Sequence, residues 1–588
     1  MAQVLFRKVD YSLTKLMEDI DIGEIGLPDI QRPFVWPDTK VRDLFDSMYK
    51  GYPVGYLLFW ENGLPGEHRV IGTNGKQKAP RLLIVDGQQR LTSLYAVLRG
   101  KPVLRKDYNA ERIIIAFNPK QRKFEVANSV IRRDPEWIPD ISVLWAHEAP
   151  RNRLVKSFLD NLRESRALSE EEEDDLTESI DRLYDLRDYP LTVLELSTSV
   201  PEEQVADVFV RINSLGTRLN EANFILTLMS VFWDEGRLDL ETFCRDAKRP
   251  PRDSRPSPYN PIVQPGPDQL LRVSVALGFG RARLEHVYSL LRGKDLETNQ
   301  FSSEQRDKQF ATLREAQAYV LDLQHWHEFL KVIIRAGFRN QNMLSSINAV
   351  MYAYAMYLIG KRDFKMEAHP LREIIARWFF MASLTGRYTS SPESRMEQDL
   401  ALLRGQRTAA DFIATLEREI ATVLTEDYWS IGLVNELSVA SHQSPAMFAY
   451  YAALCLLDAC VLYSHMKVSA LLDPATKAKK AAVERHHLFP RRYLQRVGIT
   501  ERRDVYQIAN YALVEWSDNI AISDKPPADY APRAESRFSH EEIARMYAWH
   551  ALPERWYEMD YPRFLEERRK RMAQVIRRGF EALKAPHA

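Results

Sequence analysis

The sequence predicts an α+β protein that is predominantly helical: a mixed α/β N-terminal part, a central helical region and a C-terminal part of mixed character. Three observations carry this. Short apolar runs broken by Gly and Pro crowd the first 105 or so residues, amphipathic helical spacing dominates from Leu270 to Leu472, and mixed patterning returns after Lys477. The boundaries expected are 1–240, 241–475 and 476–588, in line with about 150 residues per domain. The 588 residues carry 81 Lys and Arg against 81 Asp and Glu, so the formal net charge is zero and a globally basic nucleic-acid coat is excluded. Any nucleic-acid contact must come from local basic faces.

The elements follow in order. Gly51–Trp60 (GYPVGYLLFW) and Leu82–Val85 have strand character, and after Gln89 the residues Leu91, Leu94, Tyr95 and Leu98 share one helical face. A strand, a polar turn and a helix start present backbone N–H groups and a helix dipole, which suits an anion such as phosphate. Arg112–Val126 reads as a hairpin turning at Asn118–Gln121. From Trp137 to Leu240 the pattern is helical, and the six acids Glu170–Asp175 follow Ser169 as a capped, solvated helix start. Seven prolines between Pro250 and Pro267 exclude regular structure there and predict a long surface loop. The helices beyond it, with aromatic stripes as in NAVMYAYAMYLIG, read as core and offer apolar faces for a homodimer. The chain ends in a basic helix, Leu565–Lys584, with seven basic and three acidic residues, fit for phosphate contact or simple exposure.

Cys244, Cys455 and Cys460 make neither a disulfide framework nor a zinc pattern, which fits a reducing cytoplasm. The first twenty residues show no basic start followed by an apolar core, so no secretory leader is expected. The longest apolar stretch, Ala446–Tyr463, is interrupted by Asp458, so no membrane span is expected.

The strongest chemistry lies in ERHHLFPRRYL (Glu484–Leu494) followed by Ile508–Tyr530. Of two adjacent histidines, one can bind a divalent metal while its neighbour stays free as a base near neutral pH, and phosphodiester cleavage needs both. The residues resemble the HNH, or ββα-metal, nucleases: His-His-x-x-Pro, then two asparagines, Asn510 and Asn519, nine residues apart. The resemblance implies His487 as general base, His486 and Asn519 as metal ligands, and Asn510 as the residue that holds the loop behind the catalytic centre. His486 stands where Asp is frequent in that superfamily. The zinc-binding cysteines of some members are missing, so a single Mg²⁺ or Mn²⁺ is implied, with Glu484 available to orient a histidine.

A second constellation combines DIQRPFVWP (Asp29–Pro37), IVDGQQRLTSL and FVRINSLGTRLNEANF (Phe209–Phe224). Its polar clusters are Gln31-Arg32, Asp86-Gly87-Gln88-Gln89-Arg90, and Arg211-Asn213 with Gly216. Arginine pairs with phosphate oxygens, glutamine orients water or a base edge, and aspartate holds a metal or a ribose hydroxyl. The alternative is an Asp86–Arg90 ion pair capping the helix that starts near Leu91. No Walker loop is present. The blocks resemble the ParB/sulfiredoxin-like N-terminal domain of GmrSD-type restriction nucleases, and that resemblance implies binding and hydrolysis of a nucleoside triphosphate (ATP, GTP or other) at these residues.

Both resemblances together imply a single-chain, nucleotide-regulated type IV restriction endonuclease that cuts modified double-stranded phage DNA in bacterial defence. Relatives acting on phosphorothioated DNA or in defence islands fit the same residues, and a modified base would need a pocket beside which Trp36 is a candidate. Two rivals belong to other classes: a nucleotide-gated DNA sensor that recruits partners without cutting, and an ATPase with incidental DNA binding.

Overall fold

The N-terminal half is organised around one mixed sheet whose strands come from widely separated parts of the chain. In the computed structural model, β1 (Phe6–Ser12) leads into α1 (Leu13–Asp21), with the Ser12 hydroxyl accepting from Lys15 N at the helix start. There follow β2 (Ile25–Gly26), α2 (Asp38–Tyr49), β3 (Leu57–Glu61), β4 (Leu82–Asp86) and α3 (Gln88–Leu98). Two small hairpins come next, β5 (Pro102–Leu104) with β6 (Ala110–Arg112) and β7 (Ile115–Asn118) with β8 (Lys123–Val126). Then come α4 (Arg151–Ser165), α5 (Glu170–Tyr184) and β9 (Pro190–Leu196). The sheet order is β1-β9-β3-β4-β2, with β1/β9 and β3/β4 antiparallel and β9/β3 and β4/β2 parallel.

The residues described are 5–26, 34–61, 81–105, 109–145, 151–197, 221–251, 254–294, 302–441, 443–474, 483–515 and 522–584. They belong to two compact units, 1–219 and 220–588. In the first, Leu16, Phe45, Leu57, Phe59, Leu91 and Leu94 are among the core side chains withdrawn from water, and their burial supplies the main favourable term. The expected hairpin turn is present, with Asn118 Oδ1 accepting from Gln121 N at 2.8 Å. Ser169 caps α5 as the sequence predicts, accepting from Glu172 N. Its acids are not merely solvated: Glu172 is held by Arg166 and Lys120, Glu173 by Arg163 and Asp175 by Arg122.

The second unit is helical over most of its length. Its longer helices are α6 (Glu221–Phe232), α7 (Asp234–Lys248), α8 (Pro267–Phe279), α9 (Leu284–Leu291), α10 (Ser303–Val320) and α11 (Leu323–Arg335). After these come α12 (Ile347–Arg362), α13 (Ala368–Leu384), α14 (Pro392–Leu402), α15 (Ala409–Val423) and α16 (Pro445–Leu456). Every residue from Ala349 to Gly360 and from Ala446 to Cys455 is buried, so the aromatic stripes are core and their apolar faces lie inside the unit. Among the described residues no helix is long and apolar enough to cross a membrane.

The proline-rich segment departs from the expected surface loop. Pro258, Asn260, Ile262, Val263 and Pro265 are buried. Trp326 donates its indole N–H to Pro258 O, His327 Nε2 lies 2.8 Å from Ser257 O, and the Asn260 side chain binds the backbone of Ile262 and Val263. Proline forbids ladders and helix interiors, but a side-chain-stapled turn satisfies the same backbone groups.

The C-terminal segment of this unit comprises β10 (Val483–His487), α17 (Arg491–Arg496), α18 (Arg502–Val505), β11 (Tyr511–Glu515), α19 (Pro527–Glu535), α20 (His540–Trp549) and α21 (Tyr561–Ala582). The strands β10 and β11 pair antiparallel, with His486 opposite Ala512 and His487 opposite Tyr511. The basic stretch forms much of α21, but the helix is amphipathic, and Phe564, Leu565, Met572, Ile576 and Phe580 are buried. Gly579 permits close packing on α16: a Cβ there would lie 2.5 Å from Ala453 Cβ.

Candidate active site

Consecutive residues on a strand point to opposite faces, so the two histidines ending β10 enter different surroundings. His486 is buried at 5% exposure, with its ring edge-on to Tyr530 at 6.0 Å. His487 is half-buried between Tyr511 and Tyr506, at ring distances of 4.5 and 5.4 Å. Its Nε2 is shielded from water and makes no hydrogen bond among the described residues. Burial, followed by the neighbouring His486 and the Arg491 guanidinium, brings the His487 imidazole down to about 4. The ring is therefore neutral at pH 7.

Asn510 fixes the loop that follows. It is fully buried, its Oδ1 accepts from Phe489 N at 2.9 Å, and its Nδ2 donates to Phe489 O and Val505 O at 3.1 Å each. Its own backbone carbonyl accepts from Leu488 N at 2.8 Å. One side chain thus satisfies three backbone groups at two points of the chain, where leaving any of them buried and unpaired would be costly. Tyr530 adds a fifth tie, donating its hydroxyl to Leu488 O at 2.6 Å. Asn519, and the helix start that would complete a ββα unit, lie outside the described residues, as does the Glu484 side chain.

Sequence reasoning missed part of this surrounding structure. Tyr506, Tyr511 and Tyr530 wall the histidines, and Arg568 supports Asn510 from behind. That arginine was counted with a basic, phosphate-ready helix, yet it is fully buried and donates to Ala509 O at 2.7 Å and to His550 O at 3.2 Å. The signal was available: position 568 falls on the same i, i+4 row as Phe564 and Met572.

In the N-terminal unit, β4 ends at Asp86 and α3 starts at Gln88, earlier than the Leu91 expected. Gly87 between them has φ 92°, and a Cβ there would meet Leu57 Cδ2 at 2.4 Å, so only glycine suits the junction. Gln89 Oε1 accepts from Val35 N at 3.1 Å, and Arg90 donates to Tyr56 O at 2.8 Å. The alternative reading, an Asp86–Arg90 ion pair, is not formed within 4 Å among the described residues; Arg90 reaches across to β3's approach instead, and burial lowers its pKa against the attraction of Asp86. The junction therefore gathers Val35, Tyr56 and Asp86–Arg90. Gln88 is half-buried beside them. Trp36, next to Val35, is half-buried, with the Lys40 ammonium 4.2 Å over its ring. Gln31, Arg32, Arg211, Asn213 and Gly216 lie outside the described residues.

Residues 13–229 match the family model of the GmrSD restriction endonuclease, N-terminal domain. That part of the chain is similar to the N-terminal domain of GmrSD restriction endonucleases. Over 557 residues the chain is 22% identical to the uncharacterized protein MJ0686 of Methanocaldococcus jannaschii, covering 88% of this chain and 86% of that protein. The second similarity runs through both units.

Two outcomes follow. Asn510→Leu leaves Phe489 N, Phe489 O and Val505 O without their partner, and should destabilise the protein by about 2–4 kcal/mol in a urea titration; an unchanged midpoint would contradict the geometry. In the metal-free protein the His487 ring proton resonance, assigned with His487→Gln, should titrate near pH 4, and a midpoint near the ordinary value of about 6.5 would contradict its burial. Because the folded pKa lies below the unfolded one, this group's stabilising contribution is complete above pH 6.5 and is lost as pH falls toward 4.

Proposed function

We propose that this protein is a metal-dependent DNA endonuclease of the GmrSD type, with its cleavage centre at His486 and His487 and a nucleotide-responsive site at the β4–α3 junction. The observation that carries the reading is His487 itself: a neutral imidazole at the end of β10, walled by Tyr506 and Tyr511, with its Nε2 shielded and unsatisfied. Such a group is uncharged at neutral pH, the form a general base requires, and would take a proton from a water attacking a phosphodiester once bound DNA brings that water to the ring. Asn510 orients it indirectly by fixing Leu488 and Phe489, the next two residues of the chain.

Among the described residues no three His, Cys, Asp or Glu side chains converge on one point. His486 with Asn519 would therefore hold a divalent cation through few protein ligands, a set that suits Mg²⁺ or Mn²⁺, which keep several waters. Bound there, such an ion supplies charge stabilisation for the phosphate and the leaving oxygen. At the other site Asp86, Gln88, Gln89 and Arg90, with Gln31, Arg32, Arg211 and Asn213, would bind the triphosphate, Gly87 allowing the close approach of the chain. The reading extends to modified phage DNA as target, to action in the cytoplasm and to a homodimer when both strands are cut.

Purified protein with Mg²⁺, acting on plain plasmid and on DNA carrying modified cytosine, with and without nucleoside triphosphate, tests this. His487→Ala should lower cleavage by roughly 10²–10⁴-fold, and Arg90→Ala should abolish the response to nucleotide while basal nicking persists. Undiminished cleavage by His487→Ala would refute the assignment.

A further inference from the structure

The chain between the two arms of the Asn510 staple is locally basic. Residues 489–505 (FPRRYLQRVGITERRDV) hold five arginines against Glu501 and Asp504, in a chain whose total charge is zero. The staple joins Phe489 at one end of this excursion to Val505 at the other, and Tyr561 holds the next carbonyl, Asp504 O, at 2.8 Å. The arginines on α17 and α18 are therefore carried on one closed loop. That loop begins two residues after His487, and its far end is flanked by Tyr506, the ring packed against His487.

These arginines face water. Arg491, Arg492, Arg496, Arg502 and Arg503 are all exposed, Arg503 to 84% of its side chain. Arg496 is engaged by Asp524 at 3.0 Å, and Arg503 has Asp504 only at 3.9 Å. Arg502 lies over the Tyr506 ring at 5.8 Å. Among the described residues Arg491 and Arg492 have no carboxylate within 4 Å. Other surface arginines are matched, as Arg163 is by Asp160 and Glu173 and Arg577 by Glu426 and Glu581, so what sets 491–503 apart is that Arg491, Arg492, Arg502 and Arg503 are carried on one stapled loop beside His487. Unmatched planar guanidiniums on a rigid support suit an anionic polymer with repeated bidentate acceptors, and a phosphodiester backbone offers one per nucleotide.

We propose that the stapled excursion 489–505 is the surface that grips the backbone of the DNA strand to be cut, with Arg491, Arg492, Arg502 and Arg503 on successive phosphates and Tyr506 beside the scissile one. This deepens the nuclease reading, on which it rests for the identity of the strand. Because sequence-independent phosphate contacts are salt-sensitive, the surface sets affinity and register rather than base preference.

The test uses full-length His487→Ala protein, which binds without cutting, and a fluorescent 25-base-pair duplex at 50 to 200 mM salt. Adding Arg492→Ala with Arg503→Ala should weaken binding tenfold or more at low salt and reduce the slope of log K against log salt by about 2, since each lost phosphate contact removes about 0.9. A matched pair on α21, Arg563→Ala with Arg571→Ala, removes the same charge elsewhere on the surface and should change binding less than twofold. Unchanged affinity and slope in the first pair, equal losses in both pairs, or no binding by the parent would each overturn the proposal. Binding to poly-L-glutamate as tight as to the duplex would also overturn it, in favour of an acidic protein partner. If the intact protein cuts no DNA but the first pair still loses binding selectively, the cleavage reading fails and the grip stands.

Discussion

The C-terminal site depends on the four hydrogen bonds that Asn510 makes with its side chain and its carbonyl. A short two-stranded hairpin is marginal on its own, and here its strands are separated by a long excursion through α17 and α18. By accepting from Phe489 N and Leu488 N and donating to Phe489 O and Val505 O, Asn510 closes that excursion and fixes the chain just beyond His487. An amide is the side chain that can do this, because it donates and accepts at once; aspartate would place a second acceptor against two carbonyls.

Support for the staple reaches into the helical unit. Arg568 of α21 ties Ala509 O to His550 O, and α21 is brought close to α16 by Gly579. His550, fully buried and also held down at about 4, approaches Cys460 O with Nε2. The histidine pair therefore rests on a packed helical base. Tight packing makes the shielded environment of His487 possible and, through burial, keeps that imidazole neutral. In the N-terminal unit Gly87 has the comparable role: its left-handed backbone turns β4 into α3 against Leu57, and Gln89 and Arg90 then bind the backbone at Val35 and Tyr56.

What could be read in the sequence was local. The β4–α3 junction, the hairpin at Asn118–Gln121 and the Ser169 cap follow from apolar spacing and turn chemistry within a dozen residues; the hairpin and the cap stand where expected, and α3 starts three residues before its expected position. Adjacent histidines and the Asn510 spacing were equally visible. What could not be read was long-range satisfaction of polar groups. Arg90 finds Tyr56 O rather than Asp86, and Trp326 and His327 pin a proline-rich segment expected to lie loose on the surface. Arg568 was hidden by its charge, since a residue counted as a surface cation sits on an apolar row and is satisfied by carbonyls 18 and 59 positions away. Charge composition separates surface from core poorly when a buried guanidinium can reach backbone acceptors.

The central claim is that His486 and His487 divide two tasks, one holding a divalent cation and the other remaining free. Pulsed electron paramagnetic resonance of Mn²⁺ added to the ¹⁵N-histidine-labelled protein tests it most directly. The account predicts hyperfine coupling to a single histidine nitrogen, retained in His487→Ala and lost in His486→Ala. Coupling that survives in His486→Ala but vanishes in His487→Ala, or no histidine coupling at all, would contradict it.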